Sequence, residues 1–240
     1  MKKLKTYHYG KKRTKEVVFN KVHCLFEQSG TFKKAFKELG YEAIDYDINK
    51  TENVDVVTNL FYQIYLENTE DQESIFNDIN QDDLVIAFFP CTYFSDQSQL
   101  LSRGDNYGQK EWSEKQKLEY SMKQMQERQG YYSNLCSLCL IAIKKGFKLI
   151  IENPYGKVNF LKQFFPLKPE VVLYDRRKMG DFYKKPTQFF FINCVPEFNL
   201  WGECATTIGK QNPIEDNHGF SRSVISPTFA KNFIKTYIIN

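Results

Sequence analysis

The sequence lacks the features that mark membrane and secreted proteins. It contains no run of about 18 apolar residues, which a membrane-spanning helix needs. Its six cysteines are scattered and lack the dense spacing of a secreted disulfide framework. No apolar segment follows the basic N-terminal residues, so we do not expect a signal peptide. We therefore expect a protein of the reducing cytoplasm, without a membrane partner.

Internal repeats and linkers rich in proline, glycine or serine are also missing. Short apolar runs instead alternate with amphipathic stretches, which is typical of a mostly parallel sheet covered by helices. The apolar runs predict strands at Val22–Phe26, Glu42–Tyr46, Leu84–Phe89, Phe147–Ile151 and Gln188–Ile192. Because no linker interrupts this alternation, we predict a single doubly wound α/β domain over residues 1–240.

Apolar residues at helical spacing predict the helices that cover the sheet. These helices are Thr31–Leu39, two pieces of 112–145 that are separated near Gly130, and Pro227–Ile238. Cys136 and Cys139 form a C-x-x-C pair within an apolar helical stretch, and no second pair accompanies them. A structural zinc site needs two more ligands, so we expect both thiols to pack in the core.

Charge is distributed unevenly along the chain. Residues 42–83 contain twelve Asp/Glu and one Lys, whereas residues 1–21 contain eight Lys/Arg and one Glu. A second basic zone lies between Lys157 and Lys185. A solvated face explains any one of these zones. Two basic zones together favour a polyanionic partner, because each neutralised phosphate releases a counterion.

A tight turn, Phe26–Gly30, follows the first predicted strand and precedes a helix. Such a turn offers backbone N–H groups to a carboxylate or phosphate of a ligand. The second predicted strand ends in the acidic segment Asp45–Asp47, where a carboxylate can accept hydrogen bonds from both hydroxyls of a ribose. A plain turn also explains the glycine, but the two features together favour a cofactor that carries a nucleoside.

Pro90 and Cys91 directly follow the apolar run Leu84–Phe89. A central strand here delivers the thiol to the carboxyl edge of the sheet, where open α/β folds bind their ligands. Taken alone, such a cysteine is explained by core packing. The next predicted strand, however, leads into Glu152 and Asn153, and a glutamate is costly to bury without a purpose. If the two strands are neighbours, Cys91 and Glu152 share one edge.

The order of these features resembles that of the DNA cytosine-C5 methyltransferases, in particular short bacterial and phage-type members. That family has a strand followed by Phe-x-Gly-x-Gly, an acidic residue ending the second strand, a Pro-Cys loop and a Glu-Asn pair. A basic Gln-x-Arg-x-Arg strand and a closing segment follow. The resemblance spans roughly residues 21–238. It implies the Rossmann-like fold of S-adenosylmethionine-dependent methyltransferases, and methyl transfer to carbon 5 of cytosine in DNA.

The resemblance also implies roles for individual residues. Cys91 matches the nucleophile that adds to carbon 6 of cytosine and thereby makes carbon 5 nucleophilic. Glu152 matches the carboxyl group that binds N3 and the amino group of the base, and Asn153 holds the loop. The positions that match the S-adenosylmethionine site are Phe26, Gly30, Asp47, Pro90 and Ser223.

The chain departs from the family pattern at the cofactor turn and in the basic strand. Gln28 stands where the family has its first glycine, and Lys185 and Thr187 stand where two arginines are usual. We expect Lys185 to contact the base, with Arg176 or Arg177 as the other candidates. Lysine and arginine are not equivalent at a bidentate site, so these substitutions bear on catalysis.

The segment between the basic strand and the closing segment is short, with about 30 residues from Asn193 to Ser221. A short insert at about 194–220 thus takes the place of a target-recognition domain. We expect double- or single-stranded DNA to be bound with little sequence reading, or with a separate specificity partner. The stretch 94–112 is predicted to be a mobile loop that closes over a base rotated out of its stack.

Two other functions remain open at this point. The chain can be a protein that keeps the methyltransferase fold without its chemistry and binds nucleic acid or nucleotide, as the missing arginines suggest. It can also be a related enzyme that acts on RNA or a free nucleotide, for which the short insert is suitable.

Overall fold

A computed structural model of the chain describes residues 4–5, 16–17, 19–69, 72–102, 107–199 and 224–239. The strands are β1 (Leu4–Lys5), β2 (Glu16–Val17), β3 (Lys21–Leu25), β4 (Glu42–Asp47), β5 (Val56–Val57), β6 (Leu84–Phe88), β7 (Lys148–Pro154), β8 (Val171–Leu173) and β9 (Thr187–Ile192). The α-helices are α1 (Thr31–Glu38), α2 (Leu60–Glu67), α3 (Asp96–Ser102), α4 (Glu114–Lys145), α5 (Phe160–Phe164) and α6 (Pro227–Tyr237). Short 3-10 helices are Ile75–Asp78, Tyr107–Gln109 and Arg176–Met179.

Seven of these strands form one mixed sheet in the order β5-β4-β3-β6-β7-β9-β8. The pairs β5–β4, β4–β3, β3–β6 and β6–β7 are parallel, whereas β9 runs antiparallel to both β7 and β8. The order of the strands reverses between β3 and β6, and open α/β sheets bind their ligands at the carboxyl ends of strands flanking such a switch point. The protein is thus an α/β protein with a mostly parallel sheet, compatible with a Rossmann-like fold.

Helices cover both faces of the sheet, because the side chains of each buried strand alternate between the faces. On one face, aromatic residues of α1 and α6, such as Phe32 and Phe233, pack against strand residues that include Ile86. On the other face, α2 and α4 cover the intervening strand residues, among them Val85, with Leu135 of α4 in the same cluster. The apolar runs of β6 and β7 are therefore buried from both sides, as their sequences predict.

The predicted break of the long helix near Gly130 is wrong. The helix α4 runs without interruption over 32 residues, from a capping box at Ser113 and Gln116 to a left-handed Gly146. One interior glycine costs a helix about 1 kcal/mol, which these caps and the buried C-terminal half of α4 offset. Despite the length of α4, no helix in the described ranges is both long and apolar enough to cross a membrane.

The prediction of a mobile loop over 94–112 is wrong for residues 96–102, which form α3. Arg128 of α4 contacts both the turn before this helix and its last residue: its Nε donates to the carbonyl oxygen of Tyr93 (3.0 Å) and its Nη2 to Oγ of Ser102 (3.1 Å). The sequence does not predict this contact because Arg128 lies 35 residues beyond Tyr93.

Candidate active site

A cavity of about 220 Å³ opens at the carboxyl ends of β3, β4, β6 and β7, beside the switch point of the sheet. It is lined by the turn after β3, the end of β4, the loop after β6, the end of β7 and the residues before β9 and α6. The lining residues are Phe26, Glu27, Gln28, Ser29, Asp47, Phe88, Phe89, Pro90, Cys91, Glu152, Lys185, Val224 and Ile225.

The turn after β3 needs glycine at its last position. Gly30 adopts a φ of 64°, in the left-handed region that glycine tolerates best. A Cβ atom at Gly30 would also lie 3.1 Å from Cβ of Asn53 and 3.2 Å from Oδ2 of Asp45. Gly30 does not line the cavity itself. It shapes the turn that carries Phe26 and Glu27 into the cavity wall.

Glu27 occupies the N-terminus of α1 with its own carboxylate. Its Oε1 accepts a hydrogen bond from the backbone N–H of Phe32 (2.9 Å), and its Oε2 accepts one from Lys33 (3.3 Å). Burial nevertheless raises the pKa of Glu27 to about 7, against the lowering effect of these hydrogen bonds and of one from Ser29. The helix terminus is therefore not available to a ligand carboxylate, and this wall favours a cationic group instead.

Sequence reasoning assigned the turn to a ligand carboxylate or phosphate and missed the role of Glu27. The local signal was weak, because Glu27 lies four residues before α1 begins and Gly30 holds the N-cap position. Only the general preference for negative charge near a helix N-terminus pointed to it.

Asp47 is the last residue of β4 and faces the cavity. Its Oδ1 accepts hydrogen bonds from the backbone N–H (2.8 Å) and from Nδ2 (3.1 Å) of Asn49, which fix the carboxylate. Within the described part of the chain, no donor contacts its Oδ2. One oxygen of a fixed carboxylate thus remains for a ligand at the position that the sequence assigned to a ribose acceptor.

An aromatic cluster forms the apolar part of the cavity wall. The ring of Phe26 lies 5.2 Å from that of Phe89 and 5.6 Å from that of Phe61, measured between centroids. Phe26 and Phe89 also line the cavity, so the wall next to Asp47 offers a surface against which a planar base can pack.

Cys91 lies in the loop after β6, and this loop is tied to the end of β7. Nδ2 of the fully buried Asn153 donates to the carbonyl oxygen of Phe89 (3.1 Å), as expected of a residue that holds the loop. The carbonyl oxygen of Cys91 accepts from the backbone N–H of Phe94 (3.0 Å), which closes a turn. Cys91 is half-buried and its thiol faces the same cavity as Glu152.

Four effects set the acidity of the Cys91 thiol. Burial raises its pKa most, and the negative charge of Glu152 raises it further, whereas the positive charge of Lys185 and a hydrogen bond with the backbone of Cys91 lower it. The net effect is a pKa above the ordinary value, so the unliganded protein holds Cys91 as a neutral thiol near neutral pH.

Glu152 is backed by a buried arginine. Nη1 of Arg176 lies 3.7 Å from Oε1 of Glu152, and its Nε lies 2.5 Å from Oδ2 of Asp181. The guanidinium group also lies over the ring of Phe229, 4.3 Å from the centroid. Arg176 is only 1% exposed and does not line the cavity, so it places a positive charge on the core side of Glu152 without donating a hydrogen bond to it.

The other predicted substrate-binding residues lie away from the cavity. Arg177 is paired with Asp175, with 2.7 Å between Nη2 and Oδ2. Thr187 is fully buried and its hydroxyl donates to the carbonyl oxygen of Lys185 (3.0 Å), so it holds Lys185 rather than a ligand. Ser223 lies outside the described residues.

The structure thus brings six of the predicted site residues to one cavity: Phe26, Asp47, Pro90, Cys91, Glu152 and Lys185. In the described ranges no cluster of three or more His, Cys, Asp or Glu is arranged to hold a metal ion. The chemistry available is that of a thiol, a carboxyl group and an amine around a partly aromatic cavity. Neither a model of any known protein family nor any curated protein matches the chain.

Proposed function

We propose that the protein transfers a methyl group from S-adenosylmethionine to carbon 5 of cytosine in DNA, and that its sheet is of the methyltransferase type. The observation that carries this proposal is that Cys91, Glu152 and Lys185 line the same cavity as Phe26 and Asp47. Such a reaction needs two parts of an active site: a nucleophile with an acid beside it, and a wall that binds the nucleoside of the cofactor.

The wall formed by β3 and β4 holds the cofactor. Phe26 packs against the adenine, and the free oxygen of Asp47 accepts hydrogen bonds from the ribose. Glu27, when ionised, faces the positive charges of the methionine part. When bound, S-adenosylmethionine supplies an electrophilic methyl group.

The opposite wall carries out the addition. The Cys91 thiol loses its proton to solvent, and its sulfur forms a bond to carbon 6 of cytosine while the electrons of the carbon 5–carbon 6 double bond move to carbon 5. Glu152, which takes up a proton from solvent as the base binds, donates a hydrogen bond to N3 and stabilises the negative charge that develops in the ring. After methyl transfer, loss of the carbon 5 proton to water restores the double bond and expels the Cys91 sulfur.

The reaction needs a thiolate at Cys91 and a proton donor at Glu152, and the proximity of the two side chains makes these requirements compatible. An ionised Glu152 raises the pKa of Cys91 and so opposes the thiolate. A protonated Glu152 both donates to N3 and removes this opposition. Binding of a base that needs a proton donor at Glu152 therefore also makes the nucleophile easier to form.

The test is covalent trapping on DNA that contains 5-fluorocytosine, because fluorine at carbon 5 cannot leave as the proton does. Wild-type protein with S-adenosylmethionine should give an adduct that survives denaturing electrophoresis, and Cys91→Ser should give none. Cys136→Ser is the matched control, since Cys136 is another partly buried thiol, and should trap as wild type does. An adduct that persists in Cys91→Ser would contradict the proposal.

The raised pKa of Cys91 and the lysine at position 185 favour one alternative, a protein that binds nucleic acid or nucleotide without catalysis. The same experiment separates the candidates. Adducts on RNA or on a fluorinated free nucleotide but not on DNA would identify the related enzyme. No adduct on any of the three, with S-adenosylhomocysteine still bound, would establish the binding protein.

A further inference from the structure

Two tyrosines and a lysine form a surface beside the cavity that the methyl-transfer proposal does not use. The rings of Tyr155 and Tyr174 meet edge to face, with centroids 5.5 Å apart at 88°. Nζ of Lys162 lies 5.2 Å from the centroid of Tyr155. Tyr174 is 67% exposed, which is more than any other large apolar or aromatic side chain among the described residues. We call Tyr155, Tyr174 and Lys162 the tyrosine surface.

The charge around the tyrosine surface is strongly positive. Residues 155–185 contain eight Lys/Arg and three Asp/Glu. Two of these acids are already paired, Asp175 with Arg177 and Asp181 with the buried Arg176. The exposed lysines of this region, among them Lys157, Lys162 and Lys184, have no carboxylate within ion-pair distance in the described part of the chain.

The tyrosine surface is joined to the cavity by the backbone. Tyr155 follows directly after β7, three residues beyond Glu152, and its N–H donates to the carbonyl oxygen of Pro186 (2.9 Å), the neighbour of Lys185. At about 3.3 Å per residue, Tyr155 lies roughly 10 Å from Glu152 along the strand. Nucleotides follow one another at about 3.4 Å when stacked, so this distance corresponds to about one to three nucleotides.

We propose that the tyrosine surface is a second base-binding site, on which Tyr174 stacks a base about one to three nucleotides from the base held in the cavity. Stacking on an exposed aromatic ring with lysines at the phosphates is how proteins bind single strands without reading their sequence. This inference rests on the proposed function, since the cavity must hold one base of the same strand. It assigns to the protein a strand that is single or locally opened, which agrees with the short insert.

A second pair of exposed tyrosines shows why charge decides the occupant. Tyr62 and Tyr65 of α2 also contact each other, with centroids 6.2 Å apart, and Tyr65 is 62% exposed. They lie in the segment 42–83, which contains twelve Asp/Glu and one Lys. These acidic surroundings repel phosphates. Tyr65 is therefore a matched control, because it is a tyrosine of similar exposure that also contacts a second tyrosine, here stacked at 21°, but in a negative field.

The test measures the affinity for cytosine-containing oligonucleotides of increasing length by fluorescence anisotropy. The affinity for deoxycytidine monophosphate is measured by its competition with a labelled oligonucleotide. Affinity of the wild type should rise as flanking nucleotides are added, and Tyr174→Leu should remove about 5- to 100-fold of that gain, the loss expected for one stacked base. Tyr174→Leu should leave binding of the mononucleotide unchanged. Tyr174→Phe should bind as wild type does, because it keeps the ring, and Tyr65→Leu should have no effect.

Lysine variants test the phosphate contacts independently. Lys162→Ala should weaken binding of all sequences alike and reduce the slope of log affinity against log salt by about one. Ribonucleotide versions of the same oligonucleotides compare binding of RNA with binding of DNA. Stacking on the tyrosine surface tolerates both, whereas the proposed cavity requires deoxycytidine.

Each outcome separates this proposal from the function of the cavity. If long oligonucleotides bind Tyr174→Leu as tightly as wild type, the tyrosine surface is refuted and the cavity chemistry is unaffected. If Tyr174→Leu shows the length-dependent loss but wild type traps no fluorinated base, the surface stands and methyl transfer is refuted. If the wild type binds no oligonucleotide, both are refuted. The melting temperature of Tyr174→Leu should equal that of wild type, because the side chain is mostly exposed.

Discussion

The sheet has two halves that belong to chain segments of opposite charge. The half around β4 and β5 belongs to residues 42–83, with twelve Asp/Glu and one Lys, and the half around β8 and β9 belongs to residues 155–185, with eight Lys/Arg and three Asp/Glu. Cys91 and Glu152 lie between these halves. Cys91 follows the central strand β6, and Glu152 lies on its neighbour β7. The reactive pair thus stands at the boundary between the two fields.

The two halves also hold their charges differently. On the acidic side, Glu27 and Asp47 are buried and accept hydrogen bonds from backbone N–H groups, which fix their positions. On the basic side, lysines such as Lys157 and Lys184 are exposed on long, flexible side chains. Fixed carboxylates suit one small ligand in a defined pose, whereas mobile ammonium groups suit a strand whose phosphates vary in position.

The largest expected effect lies at the boundary. Glu152→Gln should lower the rate of methyl transfer by about 10²- to 10⁴-fold, since it removes the proton donor for N3. It should at the same time lower the pKa of the Cys91 thiol, because the charge that raises it is gone. The pH dependence of alkylation by iodoacetamide measures this pKa directly.

Glu119→Gln is the control for Glu152→Gln, because Glu119 is an exposed glutamate on α4 and should change neither quantity. A variant that is slower in methyl transfer but whose Cys91 titrates as in wild type would show that Glu152 acts on the base alone. A variant with undiminished methyl transfer would remove Glu152 from the mechanism.

On the acidic side, Glu27→Gln should change how stability depends on pH. The pKa of Glu27 is about 7 in the folded protein and 4.5 ordinarily, so the folded state binds the extra proton between these values. Folding stability therefore falls as pH rises from about 4.5 to about 7, by up to about 3 kcal/mol from this group. Glu27→Gln should lack this contribution, as measured by urea unfolding at several pH values.

The difference between wild type and Glu27→Gln is the decisive quantity, since other carboxyl groups also titrate in this range. Glu119→Gln should follow the wild-type pH dependence throughout. If Glu27→Gln loses stability with rising pH as steeply as wild type does, the carboxyl group is ionised at all these pH values. The acidic wall would then be negative in acid as well.

Asp47→Ala should weaken binding of S-adenosylhomocysteine by about 10- to 100-fold, the loss of about 1.5–3 kcal/mol for hydrogen bonds to a charged acceptor. Calorimetry gives the affinity. Asp78→Ala, an exposed aspartate in the same acidic segment, is the control and should bind as wild type does. Equal weakening by both variants would mean that the overall field, and not a ribose contact, attracts the ligand.

The five longest strands and the convergence of the site were predictable because they depend on local signals, whereas the short strands β1, β2, β5 and β8 were not predicted. Buried strands such as β6 and β7 are continuous apolar runs, and the parallel pairing places the residues that follow them at one edge. The start of α6 at Pro227 is also the predicted one, and Oγ of Ser226 caps it by accepting from the backbone N–H of Phe229 (3.1 Å).

Contacts between distant parts of the chain were not predictable. The sequence offered Arg176 and Arg177 as equivalent candidates, yet the 3-10 helix turns one into the core behind Glu152 and leaves the other beside Asp175. No local pattern distinguishes two adjacent arginines. The insertion of β9 between β7 and β8 likewise depends on pairings that only the folded sheet defines.

The smallest expected effect concerns Lys185, the basic residue nearest the boundary. Its charge lowers the pKa of Cys91, against burial and Glu152, so Lys185→Ala should raise that pKa further. At neutral pH less thiolate forms, and covalent trapping should slow by up to about fivefold, as expected for an interaction of at most about 1 kcal/mol. Raising the pH should restore the trapping rate of Lys185→Ala toward that of wild type, whereas a lost contact to the base would not recover. Lys185→Arg keeps the charge and should trap normally at neutral pH. If Lys185→Ala stays slow at high pH while its alkylation profile matches that of wild type, the role of Lys185 is to bind the base, and the basic half of the edge reaches into the cavity itself.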